Sequence, residues 1–162
     1  MLQGPRYKVE FRRRREGRTD YSHRLKLLRS GMPRATVRRS NKYYSVQLIE
    51  FDAGGDIVIA AASSKELVKY GWAGAASNVA AAYLTGLLAG KRAKIKGIST
   101  AVLDAGILSP KKASGVYAAL KGLLDAGVDV PHSDDVLTPM ERIANVAGKH
   151  GEFENIKRRV TG

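Results

Sequence analysis

Between Lys69 and Lys91 the chain runs for 21 residues without a charge, from Tyr70 to Gly90. No other feature restricts the fold as strongly. A stretch this long leaves water either for a membrane or for a protein core. Its composition favours the core. It is mostly Ala and Gly, holds Ser77, Asn78 and Thr85, and has few large aliphatic side chains. Val79, Tyr83, Leu84, Leu87 and Leu88 recur on one helical face. The reading is a buried helix over 78–90, with no membrane contact.

A second segment repeats its ending. Leu84-Thr85-Gly86-Leu87-Leu88 is matched by Leu120-Lys121-Gly122-Leu123-Leu124, inside a helix predicted over 113–126 with Val116, Tyr117, Leu120, Leu123 and Leu124 on one face. A glycine stop and an extended run follow each: 95–103 in the first case, 128–130 in the second. Both helices are therefore expected to return to one sheet. Ahead of them lie three strand-like runs, 34–40, 43–51 and 56–61, separated by Asn41-Lys42 and by Asp52-Ala53-Gly54-Gly55. A short helix over 65–70 is capped by Ser64. Another, after Thr19 or Asp20, carries a Tyr21, Leu25, Leu28 stripe and closes at Gly31. Thr138-Pro139 opens a helix through Ala147, and a last one spans 152–159. The order β-β-β-α-β-α-β predicts an α/β fold. Its mixed sheet starts as an antiparallel three-stranded meander, continues through β-α-β crossovers, and carries packed helices.

The charge divides the chain differently. Residues 1–42 carry 14 basic and 3 acidic side chains, residues 43–162 carry 14 and 12. A basic extended arm, 1–18, thus precedes a nearly neutral body, 19–162, and the partner expected of such an arm is a polyanion, nucleic acid before membrane. Lys and Arg neutralise phosphates and release their counterions, and Arg binds phosphate through two donors. Arg6, Lys8, Arg29 and Arg34 belong to this basic run on composition alone. Tyr7, Tyr21 and His23 interleave it with rings able to stack on bases. Arg38 and Arg39 end a strand beside Asn41 and Lys42, so the hairpin tip is expected to touch phosphates as well.

Other chemistries find little support. There is no cysteine, hence no disulfide, thiolate nucleophile or iron–sulfur site. Gly86 to Lys91 is too short for a phosphate loop and ends a helix; Gly86 reads as a packing site, Gly90 as a C-cap, and Lys91, Arg92 and Lys94 as cations at a helix C-terminus. His23, His132 and His150 lack ligand spacing, and the His132 to Asp135 run reads as a loop and cap; no metal and no cofactor is expected. A nuclease with this strand order needs paired carboxylates on central strands. The first strand has none, and Asp52, Asp56 and Asp104 fall at strand ends, where turn roles suffice. No signal peptide or lipidation motif is read at either end.

Two blocks carry a resemblance. The first is Arg12-Arg13-Arg14-Arg15-Glu16-Gly17-Arg18-Thr19-Asp20-Tyr21, with Arg24-Leu25-Lys26-Leu27-Leu28 and Arg38-Arg39-Ser40-Asn41-Lys42. The second is Val116 to Gly127 with Val130-Pro131-His132-Ser133. Together they resemble the archaeal and eukaryotic ribosomal protein family that carries 5S rRNA, universal large-subunit family eighteen. The resemblance implies a similar α/β body and no enzymatic activity. It implies binding to 5S rRNA through the basic N-terminal region and sheet. The RNA would be anchored on 23S rRNA in the central protuberance, beside another 5S-binding protein and other large-subunit ribosomal proteins, on cytoplasmic ribosomes. By position, Arg12, Arg13, Arg14, Arg15, Arg18, Tyr21, Arg24, Lys26, Arg38, Arg39, Asn41 and Lys42 inherit the RNA role.

Overall fold

A computed structural model of the chain describes residues 4, 7–107, 109–147 and 150–161. The three-strand meander is present: β1 (Arg34–Arg39), β2 (Tyr44–Glu50) and β3 (Ile57–Ser63) pair antiparallel in sequence order. A fourth strand, β4 (Val102–Asp104), joins β1 in parallel, with Arg34 opposite Val102 and Thr36 opposite Asp104. The sheet is mixed, in the order β3-β2-β1-β4. Alternation sends Ala35, Val37, Val46 and Leu48 to the core, all fully buried.

Two short helices precede the sheet, α1 (Arg12–Arg15) and α2 (Tyr21–Leu28). Four follow its first three strands: α3 (Val79–Ile95), α4 (Gly115–Asp125), α5 (Met140–Ala147) and α6 (His150–Thr161). Helix α3 is the centre of the body. It packs on β2, β3, α4, α5 and α6. It is consequently buried nearly all round, alanines included, and not along one stripe as its large side chains suggest. Each wholly buried leucine, such as Leu84, Leu87 or Leu120, contributes roughly 1.5–3 kcal/mol.

The repeated Leu-x-Gly-Leu-Leu segments meet at the α3–α4 crossing. A Cβ on Gly86 would lie 2.0 Å from the Ala119 carbonyl oxygen, and one on Gly122 would lie 2.2 Å from the Tyr83 carbonyl oxygen. Each glycine lets the other helix's backbone come close, so the pair sets the helix separation.

Several boundaries differ from the sequence reading. Gly90 does not cap α3; a Cβ there would meet the Ala126 side chain, and the helix runs one further turn. Arg92 and Lys94 favour that last turn, and the stop is Lys96 followed by Gly97 at φ 82°. Ile95 is therefore helical and 75 % exposed, and the strand expected over 95–103 shrinks to three residues. The strand expected over 128–130 is a single parallel bridge, Thr100 to Asp129. The segment over 65–70 is a 3₁₀ helix, Ser64–Tyr70, capped by Ser63 with Glu66 completing the box. Ser64 is buried, and its hydroxyl accepts the Tyr44 N–H at 3.0 Å. The Thr138 hydroxyl donates to the Ser114 carbonyl at 2.9 Å. In α2 the face reaching the core is Leu27, while Tyr21 and Leu25 stay exposed.

Candidate nucleic-acid interface

The arm is not wholly extended. Its four consecutive arginines form the single turn α1, with Arg14 and Arg15 N–H groups bonded to the Phe11 carbonyl. Acidic side chains bracket the run and relieve its repulsion. Glu10 pairs with Arg14 at 3.1 Å, and Glu16 pairs with Arg12 at 2.8 Å and with Arg18 at 3.0 Å. The guanidinium ends stay in solvent, where such pairs are worth little. The Phe11 and Tyr21 rings pack at 5.8 Å, laying the arm beside α2.

Asp20 starts α2, its carboxylate accepting the N–H groups of Ser22 and His23 at 2.9 and 3.0 Å. Those bonds, led by the His23 N–H, hold its carboxyl below the usual range. Arg24 leaves this helix for the sheet and pairs with Asp56 at 2.8 Å.

Asp104 has the turn role expected of it, its carboxylate accepting the Gly106 N–H at 2.8 Å, but it and Asp56 do more than that. They grip Arg34, whose Nη2 donates to Asp56 at 2.5 Å and whose Nη1 donates to Asp104 at 2.8 Å. Arg34 is buried in β1, so its guanidinium orders this surface from below and does not join the solvent-facing phosphate contacts expected of it. Asp104 also binds Arg38, through its carboxylate at 3.2 Å and its carbonyl at 2.8 Å. Burial pushes the Asp104 carboxyl up. The Arg38 charge, the Gly106 N–H and Arg34 outweigh it, and the group stays below its ordinary 3.8. Asp56 follows the same pattern: burial raises it, and Arg24 and Arg34 bring it below its ordinary value. These partners lie 22, 32 and 70 residues apart in the chain, which is why no local pattern disclosed them.

The β1–β2 hairpin presents the rest. Ser40 closes its tip: its hydroxyl accepts the Tyr43 N–H at 2.9 Å, and its own N–H donates to the Tyr43 carbonyl at 2.8 Å. Arg39, Asn41 and Lys42 are held exposed there. Lys8, Arg12, Arg13, Arg14, Arg15, Arg18, Lys26 and Arg29 are exposed too. Arg6 lies outside the described residues. The structure brings Arg13, Arg18, Arg24, Arg34 and Arg38 around one cavity of ≈ 360 Å³ between the arm, α2 and the segment after β4. A smaller hollow, which the sequence did not disclose, joins Arg39 to Lys111.

The nuclease reading loses its residues here. Asp56 and Asp104 have their oxygens committed to three arginines. The described residues contain no cluster of three acidic, His or Cys side chains able to hold a metal. His132 bonds the Val130 carbonyl through Nδ1, and Asp135 pairs with Lys112. No described helix is long and apolar enough to cross a membrane.

The family described as "Ribosomal large subunit proteins 60S L5, and 50S L18" matches residues 5–97, from the arm through α3. The chain belongs to this family. The large ribosomal subunit protein uL18 of Korarchaeum cryptofilum is 57% identical over 143 residues, covering 88% of this chain and 73% of that protein. The Aeropyrum pernix uL18 is 56% identical over 144 residues, covering 88% and 67%. The Haloarcula marismortui uL18 is 52% identical over 142 residues, covering 88% and 76%. As a member of the L5/L18 family, the chain is an rRNA-binding structural protein of the large ribosomal subunit and not an enzyme, and its place is the cytoplasmic ribosome.

Proposed function

We propose that this L18-type chain binds 5S rRNA and helps anchor it to 23S rRNA in the central protuberance, next to another 5S-binding protein. The observation that supports this most is the continuity of the cationic surface. The arm turn α1, helix α2 and strand β1 come together around one cavity, where Arg24, Arg34 and Arg38 are joined through two carboxylates, and the hairpin tip carries the cationic surface on beyond β1. Arg12 to Arg15, Arg18, Lys26, Arg39 and Lys42 supply phosphate contacts, while Tyr21 and Asn41 supply stacking and hydrogen bonding. Arg34 acts from beneath. Duplex RNA offers phosphates and 2′-hydroxyls more readily than base edges, so selectivity comes from loops, bulges and the shape of this surface. Residues 1–18 act as a separate arm that settles on the RNA, its ordering offset by charge-assisted contacts.

A gel-shift titration of the purified chain with 5S rRNA, with transfer RNA as competitor at moderate salt, tests the reading. A complex that resists the competitor is expected. Equal affinity for both RNAs would leave only a general binder of structured RNA.

A further inference from the structure

The cavity framed by the arm, α2 and the segment after β4 has features that phosphate tracking does not require. Its volume, ≈ 360 Å³, falls in the range of small-ligand pockets, which start at roughly 300 Å³. A single phosphate would leave most of it empty. One wall is Ala105, Gly106 and Ile107, without charge; the other carries Arg13, Arg18 and His23. At the base is Arg34, almost wholly buried, with Nη1 and Nη2 bonded and Nε buried without a partner. Arg38 lies with its guanidinium against Gly106, where a Cβ would come within 3.1 Å of its central carbon. Asp104 fixes that plane by its edge, and the side chain is still 47 % exposed. The carboxylates at the site are engaged, Asp104 by Arg34, Arg38 and the Gly106 N–H, and Asp20 by the start of α2. What the cavity offers is N–H donors, a flat guanidinium and an apolar wall.

We propose that this cavity receives one nucleotide extruded from the bound rRNA. Its phosphate sits at the Arg13 and Arg18 rim. Its base stacks on the face of the Arg38 guanidinium turned away from Gly106, beside the Ala105–Ile107 wall, and presents neighbouring acceptors to the arginines, as guanine does with O6 and N7. Unstacked bases in loops and bulges are what proteins read in RNA, and Arg matches the guanine O6/N7 edge with two donors. An adenine offers N7 beside a donor and fits a donor-lined site less well. The inference rests on the rRNA-binding reading and adds a point of base selectivity to a surface otherwise made for phosphates.

Free nucleotide isolates the cavity from the rest of the surface. The isotope-labelled full chain is titrated with GMP, AMP and inorganic phosphate while the amides of Ala105, Gly106 and Ile107 are followed by NMR. GMP should give saturable shifts there at least tenfold tighter than inorganic phosphate, with AMP weaker than GMP. Ala105→Trp fills the cavity from one wall and Thr19→Trp from the other; each, once shown to keep the wild-type thermal midpoint, should abolish the GMP shifts and weaken 5S rRNA binding about tenfold with the salt slope intact. If one variant fails to fold, the other decides. Shifts as tight with inorganic phosphate as with GMP would overturn the proposal, leaving an anion site only. A filled cavity with unchanged 5S rRNA affinity would overturn it too, while the rRNA reading stood. Loss of 5S selectivity in the wild-type chain with GMP uptake intact would overturn the rRNA reading and leave the nucleotide chemistry of the cavity in place.

Discussion

Arg34 and Asp104 meet at 2.8 Å across the parallel β1–β4 pair, with side chains only 4 % and 7 % exposed. Removing one member of a buried pair leaves the other charged and uncompensated, which typically costs about 3–5 kcal/mol. Asp104→Ala should therefore lower the unfolding free energy measured in urea by an amount in that range, softened by the hold of Asp56 on Arg34, and move the midpoint down accordingly. A midpoint that barely moves would mean that β4 contributes nothing to the body and that Arg38 is not fixed from below.

The same carboxylates give stability a pH dependence of definite sign. Asp56 and Asp104 titrate in the folded chain below their ordinary 3.8. A depressed folded value adds stability that is complete above the unfolded value and lost as pH falls through the folded one. The thermal midpoint should hold from neutrality into weak acid and fall once pH passes below 3.8. In Asp104→Asn that acid limb should flatten; an unchanged limb would place the titrating groups elsewhere.

At the α3–α4 crossing, Gly86→Ala should push the helices apart, because its methyl would lie 2.0 Å from the Ala119 carbonyl oxygen. Overpacking of this kind costs about 1–3 kcal/mol. Gly122→Ala should cost a similar amount. The double variant should cost less than the sum, since the first methyl already opens the space for the second. Additive losses in chemical denaturation would argue that the two glycines act independently.

Leu120 lies on the core side of α4, fully buried. Leu120→Ala leaves a cavity and should destabilise the fold by roughly 2–5 kcal/mol. Calorimetry showing no drop would remove α4 from the core.

Replacing Arg12, Arg13, Arg14 and Arg15 together with Ala should weaken 5S rRNA binding by orders of magnitude and flatten its salt dependence. Each phosphate that the chain no longer neutralises takes roughly 0.7–0.9 off the log–log slope. An unchanged slope would mean that this turn touches no phosphate.

How much of this was legible in the sequence depends on how locally each feature is encoded. The meander follows alternation within short runs, and α4 carries its apolar stripe in consecutive turns. Helix α3 concealed its length because it is buried on nearly all sides, so periodicity within it had little contrast, and Ile95 passed for strand. The two Leu-x-Gly-Leu-Leu segments could be seen as alike, but that each glycine serves the other's backbone is a fact about the crossing. The basic arm and hairpin tip were visible as charge. The inward role of Arg34 was not, because Asp56 and Asp104 meet it only after the sheet forms. An arginine among arginines gives no sign of which one faces in.

Those two aspartates have a consequence for the energetics of RNA association. Five guanidiniums around one cavity would repel one another in the free chain. Asp56 and Asp104 act as built-in counterions, offsetting two of the three charges on Arg24, Arg34 and Arg38 before any RNA arrives. Arginines matched in this way have few solution anions to give up and displace fewer cations from the RNA. The salt slope of binding should then report the unmatched cations of the arm, α2 and the hairpin tip, and fall short of the number of arginines on that side of the molecule.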